Sequence, residues 1–323
     1  MFRTEITSPP SISKISIGQP ILCLGSCFAD VIGHWLIRYK FDSLVNPFGV
    51  IYNPCSLIKL LEYSLSNRSP DEASYTKNQG IYYNYELHSM FSDKHLQTLQ
   101  KSISETITLA ANYLEKSQWI IFTFGTAFIH RLKASKELVA NCHKMPADYF
   151  KQELLTIDQI VAAFDQFLNQ LQQKNLNPKI IITVSPVRHL KSGLVNNNLS
   201  KATLRLAAQN LMEKHDQINY FPSYEIMMDD LRDYRYYEKD LVHPNEIAHD
   251  YIWKQFSQVY FDNETKAFIN DWDRIIAALQ HKPFHPESDN HQSFLKKTLT
   301  HLDSLKGQVD VSEELDLIQK QLL

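Results

Sequence analysis

The chain has 323 residues, 44% apolar and 21% charged, with 33 basic against 36 acidic side chains for a formal charge of −3. That length suits one large α/β domain with an appendage. The balanced charge offers no basic field for nucleic acid, and no apolar run approaches the ~20 residues of a membrane span.

The opening residues, Met1 to Pro10, lack the apolar core of an export signal, so a cytoplasmic location is expected. Without export, Cys23, Cys27, Cys55 and Cys142 are expected as reduced thiols. They show no paired C-x-x-C spacing, and no metal or cofactor is expected.

In chain order, a short apolar run from Ile21 to Leu24 reads as a strand ending at Gly25-Ser26. An amphipathic helix follows at once through Phe28, Val31, Ile32, Trp35 and Leu36 to about Tyr39. After an Asn46–Pro54 loop comes a helix over about 56–65. Residues 74–90 alternate tyrosine with polar residues and read as short strands with Gly80 at the turn. Those tyrosines form a half-buried sheet face or stack on a sugar ring. Next come a helix over about 93–115, a strand Trp119–Phe124, a hairpin over 128–140 and a long helix over about 147–173. A strand Lys179–Val184, a helix near 201–214, a short strand around 218–221 and helices ending near Leu231 and Phe256 complete the core. Residues 259–323 carry two or three amphipathic helices, packing on the core or serving a partner.

Apolar strands alternating with helices imply a mainly parallel sheet covered on both faces. Right-handed crossovers place the strand ends on one rim, where open α/β sheets bind ligands. Ser26, Asn46–Gly49, Gly125–Thr126 and Ser185–His189 each follow a strand, so they converge there. The expected division is a core over 1–258, with insertions near 70–92 and 128–146, and a helical extension over 259–323.

Strand, glycine, serine and helix form a tight turn that exposes a serine hydroxyl and aims the first helical N–H groups at it. Gly25 suits backbone angles that a side chain resists. A serine needs a base, and Asp240-Leu241-Val242-His243-Pro244 supplies one far downstream. Asp and His three apart can lie on one side of the chain. His243 then acts as general base to Ser26, and Asp240 orients the ring and stabilises the imidazolium. Cys27 is an alternative nucleophile, its thiol activated by the helix start. Cys142 and His143, adjacent in an extended segment, face opposite ways and read as a structural thiol and a rim histidine. Arg188 either holds a substrate carboxylate or phosphate bidentately or pairs with a structural Asp. His189 competes with His243 as base, and the Asp three residues before His243 favours the latter.

The sequence resembles the GSCFA-domain family, whose name is the run Gly25-Ser26-Cys27-Phe28-Ala29. Matching segments are Asn46–Pro54, Phe124–Phe128, Asn141–Lys144, Ser185–His189 and Asp240–Pro244, over about residues 20–258. The family is similar in turn to SGNH/GDSL hydrolases and to carbohydrate O-acyl esterases and transferases. That resemblance implies a three-layer α/β/α sandwich with a flavodoxin-like sheet. It makes Ser26 the nucleophile, His243 the base and Asp240 the third triad member. Gly49 takes the place of the oxyanion glycine, Gly125 opens the third block, and His143 becomes a pocket residue. Two departures stand out. Gly25 replaces the usual Asp, and Gly125-Thr126-Ala127 lacks the amide of Gly-x-Asn. The Ser26 and Gly49 N–H groups remain as donors, with Thr126, Asn46 or Asn141 as the third. Loss of one donor typically costs about a hundredfold or more in rate. The implied function is hydrolysis of an O-acyl ester of a carbohydrate or small metabolite. Acyl transfer by the same triad, or ligand binding with weak catalysis, are the alternatives.

Overall fold

A computed structural model gives the fold and describes residues 3–322. Strand β1 (Ile21–Gly25) leads into helix α1 (Cys27–Arg38), followed by β2 (Ser43–Val45) and α2 (Pro54–Ser66). A first insertion carries β3 (Tyr75–Asn78), β4 (Ile81–Asn84) and β5 (Ser92–Asp93) before α3 (Leu96–Lys116) and β6 (Trp119–Phe124). A second carries β7 (Phe128–Leu132), β8 (Leu138–Val139) and β9 (Phe150–Leu154) before α4 (Ile157–Gln173) and β10 (Lys179–Val184). Then come α5 (Leu194–Lys214), β11 (Ile218–Phe221) and a short α6 (Ser223–Glu225) that widens into a π turn over Ile226–Leu231. The chain ends with α7 (Glu246–Tyr260), α8 (Asn263–Gln280), α9 (Asp289–Leu305) and α10 (Ser312–Gln319).

The main sheet has five strands in the order β11-β10-β6-β1-β2, all parallel. Counting only those strands along the chain, the order is the flavodoxin-like 2-1-3-4-5. Alternation splits each strand between two cores. Leu22, Leu24, Ile120, Phe122, Ile180 and Ile182 face the layer of α2, α3, α4 and α5. Cys23, Ile121 and Ile181 face α1 and α7 on the other side. Both faces are covered, which is why these strands read as continuous apolar runs rather than alternating ones. The result is a three-layer α/β/α sandwich.

The C-terminal helices join the second core. Phe268, Trp272, Leu302 and Ile318 are buried in the same cluster as Phe28, Ile32 and Trp253. The Trp272 indole N–H also donates to the Arg38 carbonyl at 2.9 Å, at the end of α1. No helix among the described residues is long and apolar enough to cross a membrane.

Two helix boundaries differ from the sequence expectation. The long helix expected from 147 starts at Ile157 instead, because Phe150–Leu154 pairs along its whole length with β7. Thr156 and Gln159 then form a reciprocal capping box that starts α4. The helix expected near 201 begins at Leu194, so residue 201 lies within it rather than at its end.

Candidate active site

The β1–α1 turn is held by backbone that tolerates no side chain. Gly25 has φ +141°, and a Cβ there would sit 2.2 Å from the Thr123 carbonyl oxygen. Its N–H donates to Asn46 Oδ1 at 2.8 Å, and Asn46 Nδ2 donates to the Asp30 carboxylate at 2.6 Å. Ser26 follows as the N-cap of α1, its Oγ accepting from the Phe28 N–H at 3.4 Å. The expected exposure of this hydroxyl is not seen, since Ser26 is 1% exposed and turned onto its own helix. Gly125 lies against it. A Cβ at that position would be 3.2 Å from Ser26 Cβ and 3.0 Å from the Tyr52 ring. The Gly125 and Thr126 N–H groups both donate to the Tyr52 carbonyl, at 2.7 and 3.0 Å, which docks the loop after β2 onto the end of β6.

The Asp240–His243 loop precedes α7 and reaches the same rim, where the Arg188 N–H donates to the Val242 carbonyl at 3.4 Å. Asp240 Oδ1 accepts from the N–H groups of Val242 and His243, at 2.9 and 3.0 Å. Its Oδ2 accepts from His243 Nδ1 at 2.6 Å. These bonds, the His243 N–H foremost, hold the Asp240 carboxyl down at about 2. With Nδ1 donating to a carboxylate, Nε2 of the neutral ring carries the lone pair. That Nε2 has no hydrogen-bond partner among the described residues, and it makes no direct bond to Ser26 Oγ. His243 is near enough to His189 and His249 to lower the pKa of both. His249 in turn lies 6.2 Å, ring to ring, from Phe28 at the start of α1.

Lys201 is the residue that sequence reasoning missed. It is 2% exposed, and its Nζ donates to the carbonyls of Gly125 at 2.8 Å and Ser185 at 2.7 Å. It thus ties together the ends of β6 and β10. No carboxylate pairs with it among the described residues, and burial pushes its pKa down to about 7. A neutral amine has two N–H donors, enough for both carbonyls. The signal lay in the helical stripe Asn197, Lys201, Leu204, Ala208 and Leu211, a lysine on the buried face of α5. Starting the helix at 201 cut that stripe short.

The expected oxyanion donors are engaged elsewhere. The Ser26 N–H donates to the Thr123 carbonyl at 3.0 Å, because the parallel ladder with β6 runs one residue past Gly25. The Gly49 N–H closes a turn onto the Asn46 carbonyl at 2.8 Å. Asn46 has both amide atoms bonded within the turn, and Thr126 Oγ1 is shared between Ser200 Oγ and the Phe128 N–H, each at 3.0 Å. The Cys27 and Phe28 N–H groups face the Cys27 thiol, yet burial foremost raises that thiol's pKa, which argues against a resting thiolate.

Asn141 and His143 lie further off, in the β7-β8-β9 insertion. His143 is buried rather than at a rim. Its Nε2 bonds the Asn84 carbonyl at 2.7 Å, its Nδ1 bonds Ser89 Oγ at 3.0 Å, and its ring stacks on Tyr83 at 4.8 Å. Asn141 Oδ1 accepts from the His143 N–H at 2.9 Å. Both line a cavity of about 730 Å³ that Tyr52, Thr126 and His189 also border. Arg188 has no acidic partner among the described residues. Its guanidinium donates to the Tyr237 hydroxyl at 2.8 Å and lies 4.3 Å over that ring. His189 packs edge-on to Tyr52 at 5.1 Å, and burial, Lys201 and His243 push its pKa down to about 4. It therefore stays neutral at pH 7 and lacks the carboxylate that orients His243. No cluster of potential metal ligands occurs among the described residues.

The profile of the GSCFA family matches residues 20–256. That of the GSCFA domain protein, C-terminal domain, matches residues 272–323. No curated protein and no solved structure matches the chain. With the family profile covering well over half of its length, the chain belongs to the GSCFA family.

Proposed function

We propose that this protein is a serine acyl-ester hydrolase of SGNH type, acting on an O-acyl ester of a carbohydrate or small metabolite. The observation that supports this most is the 2.6 Å Asp240–His243 pair, which leaves a basic Nε2 unpartnered on the rim where β1 delivers Ser26. In the reaction, Ser26 Oγ attacks the ester carbonyl while His243 Nε2 takes its proton. The imidazolium, stabilised by Asp240, then protonates the departing alcohol. Water activated by the same nitrogen clears the acyl-serine and restores the hydroxyl.

Ser26 Oγ must first turn away from the Phe28 N–H, giving up a cap interaction of about 1 kcal/mol. That turn frees the Phe28 N–H at the positive end of α1. Together with the Cys27 N–H, it offers the developing oxyanion two donors in place of the engaged Ser26 and Gly49 groups. A sugar hydroxyl in place of water would make the same chemistry a transfer. One observation favours a second reading, ligand binding without turnover: both backbone donors expected for the oxyanion are already bonded.

A fluorophosphonate probe tests the assignment. Labelling is expected in the wild type and in Cys27→Ala, and is expected to vanish in Ser26→Ala and His243→Ala. A folded wild type that takes no label supports the binding reading. Label retained in Ser26→Ala and lost in Cys27→Ala moves the nucleophile to the thiol.

A further inference from the structure

We infer that the substrate carries an anionic group, a carboxylate or phosphate, which binds in the cavity between the β7-β8-β9 insertion and the sheet rim. This rests on the hydrolase reading for its reaction and on the cavity alone for its charge. The cavity measures about 730 Å³, within the range of small-ligand sites. Tyr52, Thr126 and His189 form the end nearest the triad. A Cβ at Gly125 would meet both the Tyr52 ring and Ser26 Cβ, at 3.0 and 3.2 Å, so the Tyr52 end of the cavity adjoins the nucleophile's turn.

The lining is one-signed. Lys144 and Lys191 border it, and none of the lining residues is Asp or Glu. Among the described residues, neither lysine has a carboxylate partner. The opposite face of the same small sheet behaves differently. There Lys151 and Arg131 pair with Glu153 at 3.0 and 3.1 Å. Alternation along β9 sends Phe150 and Gln152 to the cavity and Lys151 and Glu153 away from it. The sheet's own cations are therefore neutralised on the face turned away from the site, while the two lysines that border the cavity, Lys144 from the loop before β9 and Lys191 from the turn after β10, stay unpaired among the described residues. The charge of Lys191 is felt within the cavity, where it lowers the pKa of His130 and opposes the rise of Cys142.

Lys144 is also placed rather than loosely tethered. His143 and Lys144 both adopt left-handed backbone, with φ of 49° and 57°. Non-glycine residues hold such angles when the surroundings impose them. Here the His143 N–H donates to Asn141 Oδ1, the Met145 N–H to the Cys142 carbonyl at 2.9 Å, and Asn78 Nδ2 to the His143 carbonyl at 3.0 Å. Phe128, Val139 and Phe150 give the cavity an apolar wall for the uncharged body of the ligand.

Three aryl acetates sharing one reacting bond provide the test: 4-acetoxybenzoate, 4-acetoxyphenyl phosphate and the uncharged methyl 4-acetoxybenzoate. The wild type is expected to show kcat/KM about tenfold higher for at least one charged ester than for the methyl ester. The ratio between the two charged esters separates carboxylate from phosphate. In the Lys144→Gln, Lys191→Gln double variant the charge preference is expected to fall toward one. Equal rates on all three esters, or a preference unchanged in the double variant, overturn the inference. Calorimetric binding of the same charged esters to Ser26→Ala keeps the two claims apart. Binding that depends on the lysines, without turnover by wild type, sinks the hydrolase reading and leaves the anion site standing. Turnover with no charge preference does the reverse. If the charged esters are neither bound nor turned over, the anion site is overturned.

Discussion

Replacing Lys201 with Met removes a buried cation that holds two strand ends together. The pKa of this lysine falls from 10.5 to about 7 in the folded protein. At 1.36 kcal/mol per unit, keeping it charged below pH 7 costs about 5 kcal/mol. The folded pKa lies below the unfolded one, so between pH 7 and 10.5 the unfolded chain binds the extra proton. Stability therefore rises with pH across that window. Met carries no such penalty but leaves the Gly125 and Ser185 carbonyls without their donor, at about 1–3 kcal/mol each. Near pH 6.5 the two effects roughly offset, and the variant should fall within a few kcal/mol of wild type. By pH 9.5 the wild type has recovered about 3 kcal/mol, so its advantage over the variant should widen by that amount. Urea unfolding of both proteins at pH 6.5 and 9.5, followed by circular dichroism, measures the change. Parallel stability against pH, or an advantage that widens toward acid, would refute the picture of a lysine buried without a counter-charge.

Asp240→Asn should keep the fold and lower kcat on 4-nitrophenyl acetate by about 10²–10⁴-fold, because an amide can hold His243 in the wrong tautomer. Steady-state kinetics beside an unchanged circular-dichroism spectrum checks it. Gly125→Ala puts a methyl group 3.0 Å from the Tyr52 ring and 3.2 Å from Ser26 Cβ. A stability loss of about 1–3 kcal/mol is expected, with slower fluorophosphonate labelling of the displaced serine. Trp272→Ala should cost about 3–5 kcal/mol, since the 1% exposed indole fills the core shared by α1, α7 and α8. A single cooperative urea transition at lower midpoint is the expected trace. An unchanged midpoint would refute the reading that this indole helps tie α8 to the sheet domain.

The apolar runs at Ile21, Trp119 and Lys179 determined the parallel core strands without help, because a strand buried on both faces must be apolar at nearly every position. The Asp240–His243 pair was legible for a similar reason. Its two bonds from backbone N–H groups and its side-chain bond are all local, within three residues of Asp240. Strand β9 escaped because Phe150–Leu154 is strand-like only through its partner β7, some twenty residues earlier. The burial of His143 likewise depends on Tyr83, Asn84 and Ser89 from another insertion.

The donors around Ser26 divide the same way. Sequence placed the serine at the head of a helix, and that is where it sits. Only the packing of β1 on β6 decided that its N–H would go to Thr123. Lys201 stands at the far end of this range. Its residue type and helical position can be read from the chain. Its role is set by two carbonyls, 16 and 76 residues away, that meet only when the strands are side by side. Local spacing fixes which groups the chain can present, and the close approach of distant backbone decides which of them remain free to react.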